Sequence, residues 1–161
     1  MVLSSIEIKK KNHLKLQSNK SKSTCMKING LRKINIKIIK NKKGDLIKYL
    51  SSKDKFFKKF GEIYFSEIKK GQIKGWKLHK KYKCHLAVLS GSVTFNFIDS
   101  RKASKTYLKK DKITLSKKNY GILLVPPNIW FNFTTKNKIS LVVNTLNYPH
   151  SDRETKNKLI G

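Results

Sequence analysis

From Gly61 to Asn144 the chain is a succession of short β-type runs cut by Gly, Asn, Asp and Lys turns. The runs are Gly61–Ile68, Ile73–His79, His85–Leu89, Ser92–Ile98, Thr106–Lys109, Lys112–Leu115, Gly121–Val125, Ile129–Phe133 and Ile139–Asn144. They are rich in Val, Ile, Phe, Tyr and Thr, residues whose branched or flat side chains pack well on a pleated surface. Ile34, Ile36 and Ile38 alternate with polar residues ahead of a turn at Lys43-Gly44-Asp45, and only Leu46–Phe60 leaves room for a helical turn. Many short strands with so little helix predict an all-β sandwich or barrel.

A chain of 161 residues with 38% hydrophobic content supports one domain with its own core. Residues 1–27 are Lys, Ser and Asn rich without a sustained period, and are expected to be a disordered extension before a domain at 28–161. Met26 stands just before the first regular pattern, and native translation starting there is one reading of that extension. No apolar run nears the roughly 18 residues of a bilayer span, so no membrane insertion is expected and the cytoplasm is the expected compartment. Cys25 and Cys84 are far apart and lack metal-type spacing, which suits reduced thiols.

The formal charge of +29 raises the question of nucleic acid. Against it, 35 lysines stand beside only Arg32, Arg101 and Arg153, whereas phosphate and guanine recognition favours the planar fork of arginine. The lysines are scattered, and Ile and Asn are abundant as well, as in AT-rich coding sequence. A solvated basic surface is therefore expected, with polyanion binding as the lesser reading.

One spacing goes further. Gly71, Lys77, His79, Cys84 and Gly91 fit the frame G-x5-H-x-H-x4-E-x6-G, in which alternate strand residues meet one metal inside a cupin barrel. Around Gly121–Phe131 a second such motif places Phe131 where the last histidine ligand would stand. The expected fold is thus a cupin-type double-stranded β-helix, a jelly-roll barrel. Lysine and phenylalanine cannot ligate a transition metal, so neither a bound metal nor any other cofactor is expected. Alternation turns Lys77 and His79 to the same side, into the barrel mouth, where a lysine needs a carboxylate partner or an anionic ligand.

Further segments carry a resemblance: Phe60-Gly61-Glu62-Ile63-Tyr64-Phe65-Ser66, Ile73-Lys74-Gly75-Trp76-Lys77-Leu78-His79-Lys80, and Asp99-Ser100-Arg101 with Ser104 and Thr106. Asn119-Tyr120, Pro126-Pro127-Asn128-Ile129-Trp130, and Asn144 followed by Pro149-His150 complete the set. Over roughly Gly30 to Glu154 the chain resembles the dTDP-4-dehydrorhamnose 3,5-epimerase-like cupins, which act on nucleotide sugars without a metal. It looks most like a short branch with a Trp-Lys-x-His strand and a Pro-Pro-x-x-Trp turn. In the 3,5-epimerases the first strand reads Arg-Gly-Leu-His, the histidine being the base that removes protons beside the keto group. Lys74-Gly75-Trp76-Lys77 takes those places here, and the family's proton-donating tyrosine falls near Val142. The related 3,4-ketoisomerases carry His-x-His in this strand, of which His79 is the second.

The resemblance implies a metal-independent epimerase or ketoisomerase acting on a nucleotide-linked 4-keto deoxysugar in surface-polysaccharide biosynthesis. The loss of both family catalytic residues favours a non-catalytic sugar-nucleotide or glycan-binding cupin as the alternative. For enolisation, His79 is the candidate base, Lys77 the stabiliser of the enolate oxygen or a second base, and Tyr148 or Tyr120 the proton source. Trp76 and Trp130 are candidate walls for a base or sugar ring, or ordinary packing. Lys74 and Arg101 are candidates for a diphosphate, and Tyr120 and Asn144 complete the expected substrate site. A homodimer is implied, with the strand near Ile34–Ile39 as the element to cross between subunits.

Overall fold

The computed structural model describes residues 23–158. Eleven strands run β1 Ser23–Cys25, β2 Arg32–Asn35, β3 Glu62–Lys69, β4 Ile73–His79, β5 Cys84–Ser90, β6 Ser92–Asp99, β7 Lys110–Ser116, β8 Gly121–Val125, β9 Ile129–Thr135, β10 Ile139–Leu146 and β11 Thr155–Asn157. All pair antiparallel, in a six-stranded sheet β1-β2-β8-β5-β10-β3 and a five-stranded sheet β11-β4-β9-β6-β7. This is the expected jelly roll. Among the described residues there is no helix, so none could cross a membrane.

Period-two patterning decides which residues meet between the sheets. In β6, Val93, Phe95, Phe97 and Asp99 are buried while the residues between them are half-exposed. Phe95 packs at a tilt against Phe133 at 5.5 Å and Phe97 against Phe131 at 6.4 Å, joining β6 to β9 through the core. β8 is buried along its whole length because it has apolar neighbours on both faces. Leu123 and Val125 enter the central core, while Ile122 and Leu124 enter a second cluster. That cluster is closed by Ile36, Ile38, Ile47, Tyr49, Leu50 and Phe56, so the segment between β2 and β3 is a cover on the outer face of the sheet. Its turns at Ser51–Asp54 and Asp54–Phe57 replace the helical turn allowed by the sequence. Tyr49 Oη donates to the His85 carbonyl and lies 3.0 Å from Thr145 Oγ1, pinning the cover to β5 and β10.

Three expectations change here. The sheet reaches back to Ser23, ahead of the expected boundary at Ile28; residues 1–22 of the expected extension lie outside the described residues. The run Thr106–Lys109 is a turn, not a strand, because Asp99 gathers Ser104 Oγ, Thr106 Oγ1 and the Arg101 guanidinium, and the Leu108 amide bonds to its carbonyl. The segment near Ile34–Ile39 is no free edge. Arg32–Asn35 pairs with β1 on one side and β8 on the other, and Ile36 and Ile38 pack in the second cluster.

Candidate functional site

Between the sheets a cavity of about 210 Å³ is lined by Tyr64, Ser66, Lys74, Gly75, Lys77, Leu86, Phe131, Phe133, Val142 and Asn144. β3 and β10 supply its hydroxyls and amide, β4 its cations, and β5 and β9 its apolar floor. The wall at β4 depends on Gly75. It takes φ +96°, and a Cβ there would lie 2.6 Å from the Phe131 carbonyl oxygen, so glycine alone lets β4 close on β9. The register slips between Gly75 and Lys77, which explains why Lys74, Gly75 and Lys77 all reach the cavity.

Neither Lys74 nor Lys77 has a carboxylate partner among the described residues. Opposite them, Asn144 and Tyr64 face each other across the β10–β3 ladder, and Asn144 Nδ2 donates to Tyr64 Oη at 2.8 Å. Because the phenol oxygen accepts this bond, its own O–H is left to donate. Burial raises the Tyr64 pKa to about 12, so it is an acid held in its protonated form. Among the described residues, Asn144 Oδ1 is buried without a hydrogen-bond partner. The cavity thus offers cations, the hydroxyls of Tyr64 and Ser66 and the Asn144 amide oxygen over an apolar floor.

Beside the cavity stands His79, 3% exposed, with its ring stacked on Phe131 at 6.4 Å and on Tyr82 at 6.3 Å. Its Nδ1 lies 2.7 Å from Glu154 Oε2. A carboxylate can only accept, which puts the proton on Nδ1 and a bare lone pair on Nε2, a buried atom with no partner among the described residues. Burial, the largest influence, lowers the His79 pKa; Glu154 raises it, the charge of Lys77 lowers it, and the net direction is down. Burial alone would raise the Glu154 pKa; the Lys81 amide, the His79 ring and the Tyr82 amide outweigh it and hold the carboxylate ionised. Through Oε1 the same side chain accepts the amides of Lys81 and Tyr82 at 2.7 and 2.8 Å, fixing the β4–β5 turn.

The cavity gathers three of the expected residues, Lys74, Lys77 and Asn144, with His79 adjoining it. Five lie elsewhere. Trp130 alternates out of register with the inward Ile129, Phe131 and Phe133, and Trp76 sits at the register slip without lining the cavity. Arg101 is committed to Asp99 and the Asn29 carbonyl. Tyr120 donates to the Lys48 carbonyl and packs in the second cluster. Tyr148, 41% exposed, stacks on Tyr82 at 5.3 Å beneath Lys59. Tyr64, Ser66 and Glu154 were not among the expected site residues; only the alternation of Tyr64 and Ser66 along β3 hints at them in sequence.

The metal frame holds no ligand set. Lys77 and Phe131 cannot ligate, His79 Nδ1 is engaged by Glu154, and burial raises the Cys84 pKa to about 12, keeping the thiol protonated. Among the described residues no three His, Cys, Asp or Glu side chains come together.

A family model described as dTDP-4-dehydrorhamnose 3,5-epimerase matches residues 25–158. A dTDP sugar isomerase from Desulfovibrio desulfuricans G20 superposes with a TM-score of 0.82 at 28% identity, over 84% of this chain and 88% of that one. A dTDP-6-deoxy-D-glucose-3,5-epimerase from Legionella pneumophila, solved with dTDP-4-keto-L-rhamnose, gives 0.77 at 18% identity over 84% and 76%. A dTDP-4-dehydrorhamnose 3,5-epimerase from Bacillus anthracis, solved with TDP and pyrophosphate, gives 0.72 at 19% over 84% and 85%. No curated protein matches the chain in sequence.

Proposed function

The chain belongs to the dTDP-4-dehydrorhamnose 3,5-epimerase family, and from that premise we propose that it is a metal-independent epimerase or ketoisomerase of a nucleotide-linked 4-keto deoxysugar. The observation that carries this reading is the ammonium of Lys77, unpaired among the described residues, in the same cavity as a protonated phenol and beside a histidine held neutral. Enolisation next to a ketone needs those three parts: a base for the C–H proton, a cation for the developing enolate oxygen, and an acid to return a proton. His79 Nε2 is the base, Lys77 Nζ stabilises the enolate, and Tyr64 takes the donor's part once expected of Tyr148. The cavity is smaller than the roughly 300–1,000 Å³ of sites that enclose whole ligands. It therefore takes the sugar ring, with Lys74 toward the diphosphate and the nucleoside outside.

The alternative is binding without turnover, and one experiment separates the two. The protein is incubated in D2O with a dTDP-linked 4-keto-6-deoxyhexose, reading melting temperature and deuterium beside the keto carbon by mass spectrometry. A raised melting temperature with deuterium uptake is expected. A rise without uptake selects the binding protein, and neither change sinks both readings.

The setting we infer is the cytoplasm, in surface-polysaccharide biosynthesis, as a homodimer. Free Cys25 and Cys84 suit the first, and family membership the second. For the dimer, edge strand β3 leaves Ile63 and Phe65 exposed on its outer face, Phe65 at 59%. Light scattering at the mass of two chains is expected; the mass of one chain would remove the dimer.

A further inference from the structure

A second pocket, of about 380 Å³, shares no lining residue with the cavity between the sheets. Lys33, Asn35, Ile36, Ile38, Lys117, Lys118, Asn119 and Tyr120 surround it, where β2 meets the β7–β8 turn. Lys33 is only 6% exposed. It sits opposite Leu123 in the β2–β8 register, so its side chain starts on the face of the sheet that carries the central core. Gly121 makes room for it: a Cβ there would lie 2.7 Å from Lys33 Cε and 3.2 Å from Cγ. Along that groove the ammonium reaches Asn119 Oδ1, an oxygen aimed by the Asn119 Nδ2 bond of 2.8 Å to the Thr114 carbonyl.

That amide is neutral, and among the described residues Lys33 has no carboxylate partner. Asp45, the one acid paired near this turn, is already shared by Lys40 and Lys117 at 2.9 Å each. Burying a cation against one neutral acceptor is costly, and desolvation accordingly lowers the Lys33 pKa. Two ammonium N–H groups are left without a partner among the described residues, with exposed Lys118 on the same pocket. We propose that this pocket is an oxyanion site for a phosphate group, held by Lys33 and Lys118 and bounded by the Asn35 amide. An anion here supplies the counter-charge that the described residues do not. The ligand is an inorganic phosphate or the terminal phosphate of a larger molecule; the shared chemistry is a compact anion with several acceptor oxygens.

The test is a melting-temperature titration of the full chain with inorganic phosphate, at constant ionic strength balanced with chloride, with thymidine monophosphate as a second arm. Wild type is expected to show a saturable rise. Lys33→Met should melt higher than wild type in chloride, having lost an uncompensated charge, and should lose the phosphate response, its affinity falling at least about tenfold. Lys118→Glu, at an exposed position where folding is not at stake, should supply an internal counter-charge and abolish the response too. Lys77→Met should keep it. A larger response to the nucleotide that also needs Lys33 assigns the site to a phosphate ester; an equal one assigns it to phosphate itself. A response unchanged in both Lys33→Met and Lys118→Glu, or matched by chloride alone, overturns the proposal.

Discussion

Glu154→Gln is expected to leave the barrel folded and to cut deuterium exchange by about 10²–10⁴-fold, the range a positioned base contributes. The glutamine carbonyl can still accept the Lys81 and Tyr82 amides, so the β4–β5 turn keeps its clamp. Its amide nitrogen, however, presents hydrogens to His79 Nδ1 where the carboxylate presented a lone pair. The imidazole proton must then move to Nε2, and the lone pair that removes the substrate proton is lost. Glu154 is a positioning residue in this scheme, and its pH profile separates that role from a structural one. Activity should fall as the pH drops through the His79 pKa, which burial holds below the ordinary value of about 6.5. Glu154 raises that pKa, so whatever activity remains in Glu154→Gln should show its acidic limb at lower pH. Glu154→Ala removes the acceptor as well and orphans two amides, at about 1–3 kcal/mol each, so it should lower the melting temperature where glutamine does not. Full exchange in Glu154→Gln would mean that the pair only braces the turn.

The sequence was most legible where a residue's role is settled by its own strand. Short β-rich runs cut by turn residues located β6, β8 and β9, and the glycine frame around Gly71 and Gly91 brought Lys77 and His79 to the right strand. The same local logic left Trp130 open between a ring wall and ordinary packing, and its parity sets it apart from the inward Phe131 and Phe133. Other residues could not be read locally at all. Glu154 meets His79 across 75 positions because the short β11 folds back on β4, pairing Thr155 with His79. Tyr64 becomes a cavity acid only because β10 sets Asn144 directly opposite it, 80 positions away. Arg101 shows the converse: its local neighbour Asp99 claims the guanidinium, leaving no fork for a ligand diphosphate.

Lys77 carries the second large expectation. Lys77→Met keeps the length and apolar stem of the side chain and removes only the charge, so it should cost about 10²–10³-fold in turnover, as loss of one oxyanion donor does. Stability gives the internal control. Because Lys77 has no carboxylate partner among the described residues, its removal orphans no acid, and the unliganded melting temperature should hold or rise. Lys77→Arg retains a cation but spreads it over a planar fork, which cannot sit on a single enolate oxygen as an ammonium does. Partial turnover is expected there, with substrate affinity closer to wild type than in Lys77→Met. The pattern across binding and rate then identifies where the charge acts. A loss confined to affinity places the ammonium on the bound anion as a whole, leaving His79 and Tyr64 to carry the enolisation unaided. A loss confined to the rate places it on the oxygen that becomes negative only in the transition state, which is the role its place beside Tyr64 and His79 suits. Wild-type turnover in Lys77→Met would remove it from the reaction altogether.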